Sequence, residues 1–330
     1  MKKFQVVGIG NAMVDVLARA EDSFLVQAGV QKGIMQLIDM DRAVDLYARV
    51  GPAREVSGGS AANTIAGIAH LGGRTAYVGK VKDDQLGAIF AHDLRAQGAV
   101  YDTAMAPKTE EAETGRCIVI VTPDGERSMN TYLGVTEFLS PDDIDEAQMA
   151  EAEWIYLEGY RFDGPESHAA FAKAIAACKG AGGKVSITLS DPFCIERHRD
   201  AFRDMVRDHV DLLFCNRAEM LSMYQSDDFD AALTQAASEV DIVACTDSAA
   251  GVHIRHGSER YHVPAVPTQI VDATGAGDLF AGAFMWGLTQ GHDLPTCGSM
   301  GNLAASEVIS HIGARPEADL TGMFKEAGLL

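Results

Sequence analysis

The sequence predicts a three-layer α/β/α sandwich, with a mainly parallel, doubly wound sheet between helices and a small β-sheet lid standing on it. Three observations lead there. Short β-branched runs alternate with longer amphipathic stretches over most of the chain, the rhythm of parallel strands joined by crossover helices. Helical stretches close on glycine, as at Leu71-Gly72-Gly73 and Gln97-Gly98, where a left-handed residue ends a helix without steric cost. In one region alone, two extended runs follow each other with only a turn between them.

In order, the opening strand is Phe4–Ile9, and the glycine-led helix Ser60–Leu71 precedes strand Ala76–Gly79 and helix Leu86–Gln97. The lid hairpin is Glu113–Thr122 and Arg127–Gly134, joined by the turn residues Pro123-Asp124-Gly125-Glu126. Strands Trp154–Glu158, Val185–Leu189, Leu212–Cys215 and Ile242–Cys245 follow, with helices at Glu166–Lys179 and Asp230–Glu239. Helices Gly277–Thr289 and Pro295–Ile312 end the pattern. Leu17–Ile38 carries little clear helix and reads as further strands of the lid. The expected division is therefore residues 1–16, 39–112 and 135–330 as the α/β body and residues 17–38 and 113–134 as the lid.

The length, 330 residues, suits two domains or one large α/β domain. Hydrophobic residues make up 47% and charged residues 22%, which fits a folded globular protein. With Lys plus Arg 27 against Asp plus Glu 47, the net charge of −20 repels nucleic acid and anionic membrane surfaces. An anionic small molecule could still bind where helix N-termini or single basic side chains supply local donors. Cys117, Cys178, Cys194, Cys215, Cys245 and Cys297 show no Cys-x-x-Cys spacing and read as reduced core thiols. Lys2-Lys3 and the apolar run after it imitate a secretory leader, but Asn11 and Asp15 interrupt the run. The later apolar stretch Phe280–Leu288 is too short to span a bilayer. A soluble, cytoplasmic protein is expected.

The strongest motif is Asp272-Ala273-Thr274-Gly275-Ala276-Gly277-Asp278, leading straight into an apolar helix. Its glycines let a ligand approach the backbone, and the first N–H groups of the helix, lacking internal partners, form an anion site. Asp278, held ionised by the helix N-terminus beside a bound phosphate, could accept a proton from a substrate hydroxyl. An ordinary helix entry, with Asp278 only complementing the helix dipole, fits the bare pattern too. No Gly-Lys-Ser/Thr follows, which excludes a P-loop. Gly8-Ile9-Gly10-Asn11-Ala12-Met13 lacks the third glycine of a dinucleotide fingerprint. Asn11 and Asp15 read instead as a polar pair at the carboxyl edge of the sheet, where a carboxylate can accept both hydroxyls of a cis-diol. Ser57-Gly58-Gly59-Ser60-Ala61-Ala62-Asn63 is, taken alone, a capped helix start.

The Asp272–Asp278 segment resembles the second signature of the PfkB, or ribokinase-like, carbohydrate and nucleoside kinases, with Ala273 where that family often has Thr. The resemblance runs over essentially the whole chain. It implies a ribokinase-like fold, an anion hole for the transferring phosphate at Gly275, Ala276 and Gly277, and Asp278 as general base. Ser57–Asn63 resembles the first signature, which assigns Gly58, Gly59, Ser60 and Asn63 to the substrate hydroxyls. The four-residue spacing of Asn11 and Asp15 is similar to the adenosine-kinase branch, where the pair holds ribose, and Arg127 stands where that branch carries an arginine for the γ-phosphate. Leu189-Ser190-Asp191-Pro192-Phe193 is also similar to that branch, departing at Asp191. Asn216-Arg217-Ala218-Glu219 resembles the motif that organises Mg²⁺ and phosphate through water, though by itself it is a capped helix. Thr246 and Gly251 match the ends of a loop near ATP whose middle glycine is here Ser248, and Asn302 falls where relatives line the adenine pocket. Asp272 and Thr274 stand where many relatives support K⁺.

The resemblance thus implies an ATP- and Mg²⁺-dependent kinase acting on the 5′-hydroxyl of a purine nucleoside, adenosine first. Apolar groups around Leu37, Tyr160 and Phe193 would pack on the base or belong to the core. The alternatives are a sugar acceptor (ribose, fructose or 2-keto-3-deoxygluconate), inosine or guanosine, and a catalytically silent binding protein on the same fold. Both monomer and homodimer remain open.

Overall fold

The computed structural model describes residues 2–330. Its strands are β1 (Phe4–Ile9), β2 (Met13–Arg19), β3 (Met35–Leu37), β4 (Ala53–Gly58), β5 (Thr75–Val78), β6 (Gly115–Val121), β7 (Arg127–Tyr132), β8 (Ala152–Glu158), β9 (Lys184–Thr188), β10 (Leu212–Asn216), β11 (Ile242–Thr246), β12 (Val252–His256) and β13 (Glu259–Val263). The large sheet has the order β13-β12-β11-β10-β9-β8-β1-β5. From β11 across to β5 every pairing is parallel, and β12 and β13 add an antiparallel edge. Strands covered on both faces need apolar residues on both, which is why β1 is buried along its whole length. Val7, Ile9, Ile155, Leu157, Ile187 and Leu213 face one helical layer; Val6, Tyr156, Phe214 and Ala244 face the other.

The second layer contains the helices Ser60–His70 and Ala276–Thr289. Phe280 and Phe284 meet Phe214 of β10 edge-on, with centroids 6.3 and 5.5 Å apart, contacts worth about 0.5–1.5 kcal/mol each beyond their burial. This packing sets the N-terminus of Ala276–Thr289 at the carboxyl edge of the sheet.

The small sheet has the order β3-β7-β6-β2-β4 and is built from two chain segments, Met13–Gly58 and Gly115–Tyr132. Successive side chains of β6 point to opposite faces. Ile118 and Ile120 pack with Val16, Leu25 and Leu46 beneath the helices Asp22–Ala28 and Met40–Arg49, while Cys117, Val119 and Val121 pack with Met13 and Leu17 on the other side, against Ile312.

Two details differ from the sequence expectation. The Leu17–Ile38 stretch holds a helix, Asp22–Ala28, besides strand residues; it is short, buries only Leu25 and Ala28, and ends at the left-handed Gly29, so it gives little periodic signal. The small sheet begins earlier and takes in more than the expected lid segments: β2 starts at Met13, and β4, placed in the body by the sequence, pairs antiparallel with β2. The exposed Ala53-Arg54-Glu55 start of that edge strand has no apolar alternation to reveal it. Among the described residues no helix is long and apolar enough to cross a membrane, and all six cysteines are buried and free.

Candidate active site

The loop before helix Ala276–Thr289 is anchored by Asp272. Its Oδ1 accepts from the Thr274 backbone N–H at 2.9 Å and the Thr274 hydroxyl at 2.6 Å, and its Oδ2 accepts from Gly313 N–H at 3.0 Å. Gly275, the residue preceding the helix, has φ +81°, and a Cβ there would lie 2.7 Å from Ala314 Cβ, so the fold itself demands glycine. Gly277 is different. It is exposed, its φ is not positive, and a Cβ would meet nothing within 4 Å. Ala276 N–H donates to the Ala273 carbonyl at 3.5 Å, whereas Gly277, whose N–H has no partner among the described residues, borders open space.

Asp278 stands in the same turn. Its Oδ1 accepts from Ser60 Oγ at 2.6 Å and its Oδ2 from Asn63 Nδ2 at 2.9 Å. Burial raises its carboxyl above the usual carboxylate range, while these two hydrogen bonds and the charges of Arg127 and Arg315 pull it back. Ser60 and Asn63, expected at the substrate hydroxyls, each donate to this carboxylate. The Asn63 Oδ1 is buried and has no partner.

The other half of the cleft forms where β1 leaves the sheet. Asn11 accepts at Oδ1 from Arg161 Nη1 at 3.1 Å, and its backbone N–H donates to Glu158 Oε1 at 3.2 Å. Asp15, on β2, is buried, and among the described residues nothing donates to its carboxylate; burial pushes it up to about 7 against the pull of Arg315. The glycine pair has a defined job. A Cβ on Gly58 would lie 2.2 Å from the Asp15 carboxylate, and one on Gly59, at φ +99°, would lie 2.2 Å from the Asn11 carbonyl oxygen. The two glycines therefore make room for Asp15 and the Asn11 backbone. A small pocket is lined by the polar Asn11, Ser60, Thr131, Glu158 and Asp163, by the apolar Met13, Met35, Leu37 and Leu133, and by Gly59 and Tyr160. Phe193 is 51% exposed and does not line it.

Arg127, the first residue of β7, is half-buried, and among the described residues its side chain has no ion pair or hydrogen bond. Its charge acts on both Asp15 and Asp278. The turn of its hairpin reaches the loop ahead of the anion site, where a Cβ on Gly125 would lie 3.6 Å from the Val271 carbonyl.

Asn216 and Glu219 form a reciprocal cap. Asn216 Oδ1 accepts from Glu219 N–H at 2.9 Å, while Glu219 accepts from the Asn216 backbone N–H at 2.9 Å and from Nδ2 at 2.5 Å. Burial pushes Glu219 up to about 7. Thr246 Oγ1 donates to the Cys215 carbonyl at 3.4 Å. Ser248, where a glycine was expected, has φ +47° and so adopts the left-handed backbone that a glycine would take, and Gly251 follows at φ +100°. Asn302 Nδ2 donates to the Val263 and Pro264 carbonyls at 3.1 and 2.9 Å, fixing the chain as it leaves β13. Among the described residues no cluster of three His, Cys, Asp or Glu is placed to hold a metal ion directly.

Three functional neighbours were not anticipated. Glu158 accepts from Asn11 and Ala61 N–H groups, and burial pushes it up to about 7; a carboxylate ending a parallel strand was the signal available for it. Arg161, 1% exposed, bridges Asn11, Thr136 and Ser167. Arg315 joins Ser57 and Ala62 from a turn with no periodicity to mark it.

Residues 32–320 match the model of the pfkB family carbohydrate kinases. A probable sugar kinase protein from Rhizobium etli CFN 42 superposes with a TM-score of 0.96 at 47% identity, covering 100% of both chains. The adenosine kinase from Sinorhizobium meliloti superposes at 0.94, also 47% identical, over 98% of this chain and 99% of that one. The adenosine kinase of Saccharomyces cerevisiae is 27% identical over 93% of this chain and 95% of its own. With this fold and this family match over most of its length, the chain belongs to the PfkB family and is a phosphotransferase with a hydroxyl group as acceptor.

Proposed function

We propose that the chain transfers the γ-phosphoryl group of ATP to the 5′-hydroxyl of a purine nucleoside, adenosine first. The observation that carries this is one small pocket that joins Asn11 and Ser60, whose hydroxyl is bonded to Asp278, with the apolar Met13, Met35, Leu37 and Leu133 and the ring of Tyr160. Ribose hydroxyls suit its polar groups and a flat base suits its apolar and aromatic ones. A free sugar would leave the apolar side chains of the pocket without a partner, although one structural relative bears the name of a sugar kinase.

Asn11 and Asp15 orient the ribose hydroxyls, and Asp278 takes the proton from the attacking oxygen. Charge developing on the transferred group meets the N–H groups of Gly275, Ala276 and Gly277 and the free cation of Arg127, so catalysis is mainly positioning and electrostatics. Mg²⁺ would neutralise phosphate charge; Glu219 keeps lone pairs beyond its cap, so it and Asn216 suit a cation that retains its water. On the nucleotide side, Thr246, Gly251 and Asn302 shape the backbone that ATP would meet. Asp272, fully buried, is bonded only to neutral N–H and O–H groups, which suits K⁺ there with Thr274.

Asp278→Asn tests this directly. We expect kcat to fall by about 10²–10⁴ while calorimetry still detects nucleoside binding. A rate within a few-fold of the parent protein would remove Asp278 as the base.

A further inference from the structure

Arg315 lies in the turn between helices Leu294–Val308 and Leu320–Glu326. Its Nη1 donates to the Ala62 carbonyl at 3.1 Å, and its Nη2 donates to the Ser57 carbonyl and the Ser57 hydroxyl, both at 3.2 Å. Ser57 belongs to β4, which pairs with the strand that carries Asp15. Ala62 lies between Ser60 and Asn63, the two residues bonded to Asp278. One guanidinium therefore fastens a lid strand and a body helix at the two places that hold the cleft's carboxylates. Among the described residues no carboxylate lies within ion-pair distance of Arg315, and its Nε is sealed from solvent without a partner. Its charge is not spent on a direct ion pair.

We propose that Arg315 is a positioning residue, which keeps Asp15 and Asp278 in register across the lid and body and supplies the fixed positive charge that favours their ionised forms. The inference rests on the reading of Asp278 as the base.

The surroundings support the charge argument. Burial raises both carboxyls and the charge of Asp278 raises Asp15 further; at Asp278 the hydrogen bonds from Ser60 and Asn63 oppose, and Arg315 and Arg127 are the cations that oppose at both. Asp272 adds further negative field at Asp15, while Glu158 and Glu219 share the field of Asp278. The remaining titratable neighbours are hydroxyls and a thiol, those of Tyr77, Tyr156, Tyr160 and Cys117, all pushed upward by burial and so neutral near pH 7. Asp93, which accepts from Ser57 N–H at 3.3 Å, is a further negative neighbour of Arg315. Arg127 sits on the lid hairpin, whereas Arg315 is tied to the backbone on both sides.

The test is the pH profile of kcat/KM for the full-length parent protein, Arg315→Met, Arg315→Lys and Asp278→Asn, with the acceptor affinity measured alongside by calorimetry. Without the guanidinium a carboxylate base protonates more readily, so Arg315→Met should lose most at low pH, with a deficit at least about tenfold larger at pH 6 than at pH 9. Arg315→Lys keeps the charge but not the fork; its acid limb should stay near that of the parent while acceptor affinity weakens. An acid limb at the parent's pH in Arg315→Met, with the same loss at every pH, overturns the proposal. Failure of the base reading looks different: Asp278→Asn would turn over at the parent's rate. In that case the Arg315 proposal is still decided by acceptor affinity, which must weaken toward low pH in Arg315→Met through Asp15.

Discussion

Gly277→Ala separates what the fold needs from what the ligand needs. Gly277 is the second residue of helix Ala276–Thr289, and a methyl there would meet no protein atom within 4 Å. In the folded chain alanine is thus tolerated, and in a helix it is favoured over glycine by up to about 1 kcal/mol, less in the first turn. Taking about 0.5 kcal/mol, the melting temperature should rise by about 1–2 °C. The same methyl would stand where a phosphoryl oxygen must approach the helix N–H groups. Loss of one such donor, or a displacement of about 1 Å, costs about 10²-fold in rate or more. The assays are thermal unfolding without ligand and ADP release at saturating Mg-ATP and nucleoside. A protein slightly more stable yet at least about a hundredfold slower is expected. A rate within threefold of the parent would refute the assignment of this helix start to the phosphate. A melting temperature several degrees lower would refute the claim that the fold leaves the position open.

Gly58→Ala should do the opposite, losing stability and acceptor binding together, because its Cβ would fall 2.2 Å from the Asp15 carboxylate; overpacking of this kind costs about 1–3 kcal/mol, read by denaturant unfolding. Asp15 carries a pH signature. Its carboxyl is raised to about 7 in the folded state, so its contribution to stability is fully present below about pH 4, where the unfolded chain is also protonated, and is lost as the pH rises through 7. Asp15→Asn should therefore be more stable than the parent at pH 8, by no more than about 4 kcal/mol, with the gain shrinking by pH 5; equal gains at both pH values would contradict the burial argument. Arg127→Met should lower kcat strongly while leaving the melting temperature unchanged, since the side chain has no partner among the described residues to lose; a fall in stability without a fall in rate would give Arg127 a structural role instead.

How much of this was legible in the sequence depended on whether the signal was local. β1, β8 and β10 were readable because strands buried on both faces are continuous apolar runs, and the Gly275–Asp278 helix start was readable because its glycines and carboxylate lie within four residues. The edge strands β4 and β13 were not, since their half-exposed faces carry Arg, Glu and His in place of an apolar pattern. In the site, Asp15 and Gly58 were each visible as separate motifs, but their contact arises from the β2–β4 pairing across a long excursion of chain. Asn63 was legible as a polar residue on a first helical turn, but its bond to Asp278, which helix packing brings within 2.9 Å of its amide, was not. Arg315 had nothing local to mark it, because its meaning lies wholly in carbonyls about 250 residues away.

The central claim is the identity of the acceptor. It is tested most directly by incubating the protein with Mg-ATP and, in turn, adenosine, inosine, guanosine, ribose, fructose and 2-keto-3-deoxygluconate, with and without K⁺, and measuring ADP together with the phosphorylated product. Adenosine should give AMP in step with ADP, at the lowest acceptor concentration and the highest kcat/KM. A sugar turned over more efficiently than any nucleoside would contradict the assignment of the pocket's apolar side chains to a base.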